Sequence, residues 1–428
     1  MRELPWLSEL PGTWKAKPLR AAADYVVSNV DKVPADDELP VRLCNYTDVY
    51  NNEFITLGLE FMQGTATETE IAKFGLAVGD VIITKDSESW DDIGVPALVR
   101  ETASDLVCGY HLALLRPRKE QIDGGFLFRC LQAKQVRVQL ELAANGVTRF
   151  GIPKTDIGAA MLPVPPLPQQ RAIANYLDRE TARIDALIAA KERVLTLLVE
   201  KRRALITRAV TRGLDPNVPL RDSGITWLGK IPAHWEIERA RWLFRERDVR
   251  SETGEEELLT VSHLTGVTPR SEKDVNMFEA ETTEGYKLCE PGDLVINTLW
   301  AWMGAMGIAP VKGIVSPAYN VYQPGSRLVP AYIDALVRLP VFAEEVTRYS
   351  KGVWSSRLRL YPEGFFEVYL PLPPKDEQRA IVGYISRETA KFDAVRTATE
   401  RTIALLKERR ATIIAAAVTG QIDVEAGC

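Results

Sequence analysis

The chain has 428 residues, 46% hydrophobic and 26% charged, which allows two to four domains with ordinary cores. A net charge of −5 excludes a polycation, so any nucleic-acid contact must come from a local basic surface or from a partner. No apolar run reaches a membrane span, the opening MRELPWLSEL is acidic where a signal peptide is basic, and five dispersed cysteines form no C-x-x-C pair. A cytoplasmic protein without a zinc or disulfide framework is the expectation.

In chain order, the first clear element is a strand at Asp80-Val-Ile-Ile-Thr84, inside a mixed α/β region that ends near Leu162. A proline cluster follows (Pro163, Pro165, Pro166, Pro168), and then Gln169–Thr211 reads as one long helix free of Pro and Gly. Its apolar residues, Ile173, Leu177, Ile184, Leu187, Leu195 and Leu198 among them, recur in steps that suit a coiled coil better than a solvated helix. A Gly- and Pro-rich stretch from Arg212 to Trp235 reads as a linker to a second α/β region. There, Asp293-Leu-Val-Ile-Asn297 reads as a strand, and Tyr332 to Tyr349 as a helix that Pro340 ends or kinks. A second proline cluster (Pro371, Pro373, Pro374) precedes a second long helix, Gln378–Thr419.

These elements are two copies of one unit. A shift of 208 residues lays PVPPLPQQRAIANYLDRETARID, from Pro163, on PLPPKDEQRAIVGYISRETAKFD, from Pro371, and about half of the positions match through Asp215. Weaker matches precede them: PGTW at Pro11 with PAHW at Pro232, GDVIIT with GDLVIN, and VCGYHLALLRP ending at Pro117 with IVSPAYNVYQP ending at Pro324. Copies this long exclude a solenoid.

Catalytic motifs are absent. Gly224 to Lys230 imitates a phosphate-binding loop, but Ile231 stands where a Ser or Thr must hold magnesium. The three histidines (His111, His234, His263) have no ligand spacing, and Val164-Pro-Pro-Leu167 lacks the amide that a base-flipping methyltransferase uses. What remains is recognition. A basic stretch runs through Arg116, Arg118, Lys119, Arg129, Lys134, Arg137, Arg149 and Lys154. A second gathers Arg338, Arg348, Lys351, Arg357 and Arg359 around Val353-Trp-Ser-Ser356. Two similar domains joined by a rigid spacer suit two half-sites on DNA.

The two proline–helix blocks, the Ile231-Pro-x-x-Trp235 motif and the run Leu299-Trp-Ala-Trp-Met-Gly304 resemble the specificity subunit of type I restriction–modification systems. The resemblance spans the chain, although the first copy has Pro-Gly-Thr-Trp and lacks the Trp-Ala-Trp run. It implies an α/β (α+β) fold: two mixed α/β target recognition domains separated by two long helices that form an antiparallel coiled coil with a pseudo-twofold repeat. The boundaries expected are 1–162 and 216–370 for the recognition domains, the second with its linker, and 163–215 and 371–428 for the proline–helix segments. Leu177, Ile184, Leu198, Ile385, Phe392 and Leu406 are the expected coiled-coil seam.

The resemblance also implies a non-catalytic subunit that binds a bipartite double-stranded DNA site. It would assemble with two modification subunits and with restriction subunits. S-adenosylmethionine, ATP and magnesium would lie on those partners, and no cofactor on this chain. The rival classes are a coiled-coil scaffold without DNA and a DNA-modifying enzyme in its own right. Loops at strand ends and before the proline clusters are the expected DNA contacts. They carry Thr84, Lys85, Ser87 and Arg149 in the first copy, with Arg118 and Lys119 nearby, and Asn297, Trp300, Trp302, Ser355, Ser356 and Arg357 in the second.

Overall fold

The computed structural model describes residues 4, 10–272, 282–352 and 358–424. By its contacts the chain divides into two compact units, Met1–Glu192 with Glu400–Cys428, and Arg193–Thr399. Both divisions fall inside the long helices, so each unit owns part of each helix.

The first unit is built on a five-stranded sheet in the order Ala23–Val27, Leu112–Pro117, Val81–Thr84, Pro96–Val99, Phe54–Ile55. The second has a four-stranded sheet in the order Phe244–Glu246, Tyr319–Pro324, Leu294–Asn297, Met306–Ile308. The aligned Gly-Asp motifs lead into a central strand of each sheet for a shared reason. Gly79 and Gly292 both adopt φ +95°, a turn that an L-side chain resists. The buried aspartate then folds back on the turn, Asp80 accepting from the Ala77 N–H at 2.9 Å and Asp293 from the Glu290 N–H at 2.8 Å. Arg116 and Arg247 neutralise these carboxylates, each at 2.7 Å.

Two short helices complete each unit, Gly124–Gln132 and Lys134–Ala143 in the first, Pro330–Val337 and Pro340–Arg348 in the second. Pro340 therefore ends one helix and starts the next, as its missing N–H dictates. The first unit makes the same break at Ala133 with an extended ψ of 123° and no proline. The expected linker is not open chain: Leu220–Asp222 pairs with Lys230–Pro232 as a hairpin, and Leu228 and Ile231 enter the second unit's core.

The long helices run Leu167–Arg212 and Lys375–Val418. The first starts earlier than expected because Pro168 occupies its first turn, where the N–H has no helical partner to lose. Gly213 (φ +73°) and Gly420 (φ +75°) follow their ends in the left-handed conformation that closes a helix. Within the first unit, Ile173, Ala174 and Leu177 share a core with Ile414, Ala417 and Val418, and Arg410 binds Asp185 at 2.8 Å. Within the second, Ile381 shares a core with Ala209 and Val210, and Arg202 binds Asp393 at 2.7 Å. In both units the segments run antiparallel. The two ion pairs are the same pair, since the 208-residue shift carries Asp185 onto Asp393 and Arg202 onto Arg410. Of the expected seam, Leu177 and Ile184 are buried and Leu198, Ile385, Phe392 and Leu406 are half-buried, as in a two-helix pair with one open side.

Two devices fasten each helix to its sheet domain. The strand after the Pro-x-x-Trp motif pairs antiparallel with the strand that leads into the helix: Lys15–Pro18 with Met161–Val164, and Glu236–Arg239 with Tyr369–Leu372. A fully buried glutamine then reaches back. Gln170 donates to the carbonyls of Gln121 and Pro165 and accepts from the Asp123 N–H, while Gln378 donates to Arg327 and Pro373 and accepts from the Val329 N–H.

Gln170→Ala and Gln378→Ala leave three backbone groups each without their side-chain partner, so either lowers stability by about 1–3 kcal/mol in urea denaturation followed by fluorescence. Cys44, Cys108, Cys130 and Cys289 are buried, and burial pushes all four thiols up, Cys289 to about 12. All four should stay unmodified by a maleimide in the native protein at pH 8 and react once it is unfolded, as mass spectrometry reads directly.

Candidate nucleic-acid interface

The two loops singled out in the first copy come together, and in the second copy the residues flanking Ser355–Arg357 meet the loop after the strand through equivalent backbone bonds. In the first, Asn145 and Gly151 bridge to close a short hairpin, and the Ile152 N–H donates to the Lys85 carbonyl at 2.9 Å. In the second, Lys351 and Arg359 bridge in the same way, and the Leu360 N–H donates to the Thr298 carbonyl at 3.1 Å. Gly146 (φ +147°) and Gly352 (φ +157°) each follow the first bridging residue. In both units the segment before the proline cluster is thus docked, through its described flanks, on the loop after a central strand.

The side chains on this platform differ between units. In the first, Asp86–Ser87 pairs with Phe150–Gly151, Lys85 binds Asp86 at 3.1 Å, and Arg149 is exposed at the hairpin tip. Burial pushes the Tyr46 phenol up, while a hydrogen bond with Ser87 and the charge of Arg149 pull it back, so these three groups lie together. Tyr46 stacks on Tyr50, whose hydroxyl donates to Asp92 at 2.6 Å. Tyr110 and Trp90 of the same unit are about half exposed. In the second unit Trp300 is 51% exposed beside the His263 ring, and Leu264 is exposed next to His263 in sequence. Trp302 is half-buried, its indole donating to the Leu299 carbonyl at 3.0 Å.

Several expected contacts stand elsewhere. Thr84 is fully buried and its hydroxyl accepts from the Val95 N–H at 3.0 Å, while buried Asn297 accepts from the Leu299 N–H at 3.2 Å. Both end central strands: Thr84 is engaged by the N–H that leads into the neighbouring strand, and Asn297 by the turn that follows. Ser87 is buried too, and Lys119 is exposed. Ser355, Ser356 and Arg357 lie outside the described residues.

The basic stretch of the first copy is largely consumed internally: Arg116 by Asp80, Arg118 by Asp24, and Lys134 and Arg137 by Glu141. Arg129 is wholly buried. Burial pushes its pKa down, and Asp178 at 2.7 Å and Glu53 oppose that shift. Tyr46 and Tyr110 were not among the expected contacts, and His111 and His263 entered only as histidines without a metal-ligand spacing. For Tyr110 and His111 a signal existed, because VCGYHLALLRP aligns with IVSPAYNVYQP and differs at this turn.

No protein-family model matches the chain. In structure it resembles the HsdS subunit of Thermoanaerobacter tengcongensis, with a TM-score of 0.58 at 17% identity, over 96% of this chain and 98% of that one. A chain from a structure of a type I R-M system, solved to explain complex assembly and conformational transition, gives 0.63 at 19% over 96% and 99%. The fold is that of the HsdS subunits. In sequence the chain is 24% identical over 232 residues to the putative MjaX specificity subunit of Methanocaldococcus jannaschii, covering 54% of this chain and 52% of that protein. It is 23% identical over 420 residues to the EcoKI specificity subunit of Escherichia coli K12, covering 91% and 84%. Only about half of the archaeal relative's length is matched. The resemblance read from the sequence holds: the chain is similar to the type I restriction enzyme specificity subunits.

Thr84→Val and Asn297→Ala should each lower stability by about 1–2 kcal/mol through a lost buried hydrogen bond. Arg149→Ala and Trp300→Ala, at exposed positions, should shift it by less than about 0.5 kcal/mol. Urea midpoints with an unchanged slope separate the two groups.

Proposed function

We propose that this chain is the non-catalytic DNA-recognition subunit of a type I restriction–modification complex, each unit reading one half of a bipartite, asymmetric double-stranded site. The observation that carries this reading is the platform built twice with equal backbone support and unequal side chains. Lys85 stands against Thr298, Ser87 against Trp300, and His111 against Ala318. Equal scaffolds with different tips suit two half-sites of different sequence, since base edges are read by side chains on a rigid frame. The names of the curated relatives support it.

In this reading, methylation and cleavage belong to partner subunits, with their S-adenosylmethionine, ATP and magnesium. Among the described residues no three metal-ligating groups gather at one place, and no helix is long and apolar enough to cross a membrane. The complex would work in the cytoplasm with its DNA. Two modification subunits would dock on the long helices, one per repeat. Equivalent apolar residues are left exposed on both: Leu187 with Val395, and Leu197 with Leu405. Exposed leucines at matching places offer one partner surface twice. The partners would also supply cationic surface to a chain of net charge −5.

Three experiments test this. In selection from randomised duplexes by the chain with its co-purified partners, the reading expects two short sequence blocks at one fixed spacing. A single block, or none, contradicts it. Adding one heptad to each long helix lengthens each by about 10 Å, so the spacing should grow by about three base pairs with the half-site sequences unchanged. Mass measurement of the complex should give two modification subunits per chain, and Leu197→Glu with Leu405→Glu should reduce that number.

A further inference from the structure

The turn from Gly109 to His111 joins strand Leu106–Cys108 to strand Leu112–Pro117 and ends against the first unit's platform, where the Lys85 N–H donates to the His111 carbonyl at 3.0 Å. Among the described residues His111 is the one non-glycine residue with a positive φ, +69°. An L-side chain is strained there, and glycine would remove the strain. The aligned Ala318 has no such backbone, although its carbonyl also meets the platform, accepting from the Thr298 hydroxyl at 2.7 Å. The strain belongs to the unit that has the imidazole.

The ring is held in place. His111 Nδ1 lies 2.7 Å from Asp86 Oδ2, and the ring tilts against Tyr110 with centroids 3.9 Å apart. Tyr110 is 46% exposed, and the His111 side chain keeps part of its surface in solvent. Asp86, which also takes Lys85 at 3.1 Å, accepts hydrogen bonds and donates none as a carboxylate. Nδ1 of the neutral ring therefore carries the hydrogen, and Nε2 is left as an acceptor. An acceptor fixed at a strained turn, beside an exposed aromatic ring and the Arg149 hairpin, matches the exocyclic amino group of adenine or cytosine in the major groove.

We propose that His111 is a specificity-determining residue of the first unit that accepts a hydrogen bond from the amino group of an adenine or cytosine, with Asp86 as its positioning residue. This rests on the DNA-recognition reading above. The test is selection from randomised duplexes, in parallel with urea denaturation, on the wild-type chain and on His111→Gly and Asp86→Asn, each with its co-purified partners. His111→Gly relieves the backbone, so the variant should be at least as stable as wild type. Its preference should fall at least about fivefold at a single position of one half-site that selects A or C, with the other half-site and the salt dependence unchanged. Asp86→Asn should disturb that same position, because an amide can donate to Nδ1 and turn Nε2 into a donor. An unchanged preference in His111→Gly overturns the proposal, as does Asp86→Asn acting only at other positions. Uniform weakening with a flatter salt dependence makes His111 a phosphate contact and overturns it too. A wild-type complex that selects no sequence fails differently, because it removes the DNA-recognition reading itself.

Discussion

Neither repeat can bury its core alone. The first unit is completed by Ile414, Ala417 and Val418 from the end of the second long helix, and the second by Ala209 and Val210 from the end of the first. Burying an Ile or Val side chain contributes about 1.5–3 kcal/mol, whereas a partly exposed ion pair contributes about 1 kcal/mol or less. The apolar ends therefore supply the stability, and Arg202–Asp393 and Arg410–Asp185 fix the register. Both helices must run their full length and end on time, which is what Gly213 and Gly420 ensure. The separate compactness of each unit, assembled from both halves of the sequence, follows from this exchange.

From the helices the constraint passes to the sheets. The buried glutamines Gln170 and Gln378 bind loop carbonyls of their own domain, so each sheet is tied to the first turn of its helix. The Gly-Asp turns then direct a central strand toward the platform, and one backbone bond, Ile152 to Lys85 or Leu360 to Thr298, ties the segment before the proline cluster to the loop. Up to that point the two units agree closely. They diverge where the side chains leave the backbone, and that divergence is what makes a recognition role chemically sensible.

The parts of this design that were legible in the sequence are those whose cause is local. The long helices showed themselves through period, proline and glycine, and the break at Pro340 through a missing N–H. The equivalent break at Ala133 has no such marker. The basic stretch misled because three of its partners, Asp80, Asp24 and Asp178, lie tens of residues from the arginines they bind. Thr84 and Asn297 read as exposed polar strand ends, and their burial was not legible because it depends on the strands and turns packed around them. The convergence of the two loops in each copy was invisible for a topological reason. Asp86–Ser87 and Phe150–Gly151 become neighbours only when the sheet and the hairpin close over one another. The left-handed turn at His111 was not legible because a backbone angle is not written in residue type.

The most direct measurement of the central claim is genome-wide sequencing of methylated adenine in the host, with and without this gene. The account predicts methylation confined to one bipartite, asymmetric motif and abolished by the deletion, with one half of the motif altered when the first unit is exchanged. Methylation that persists unchanged without the chain, or a motif with only one recognised block, would contradict it.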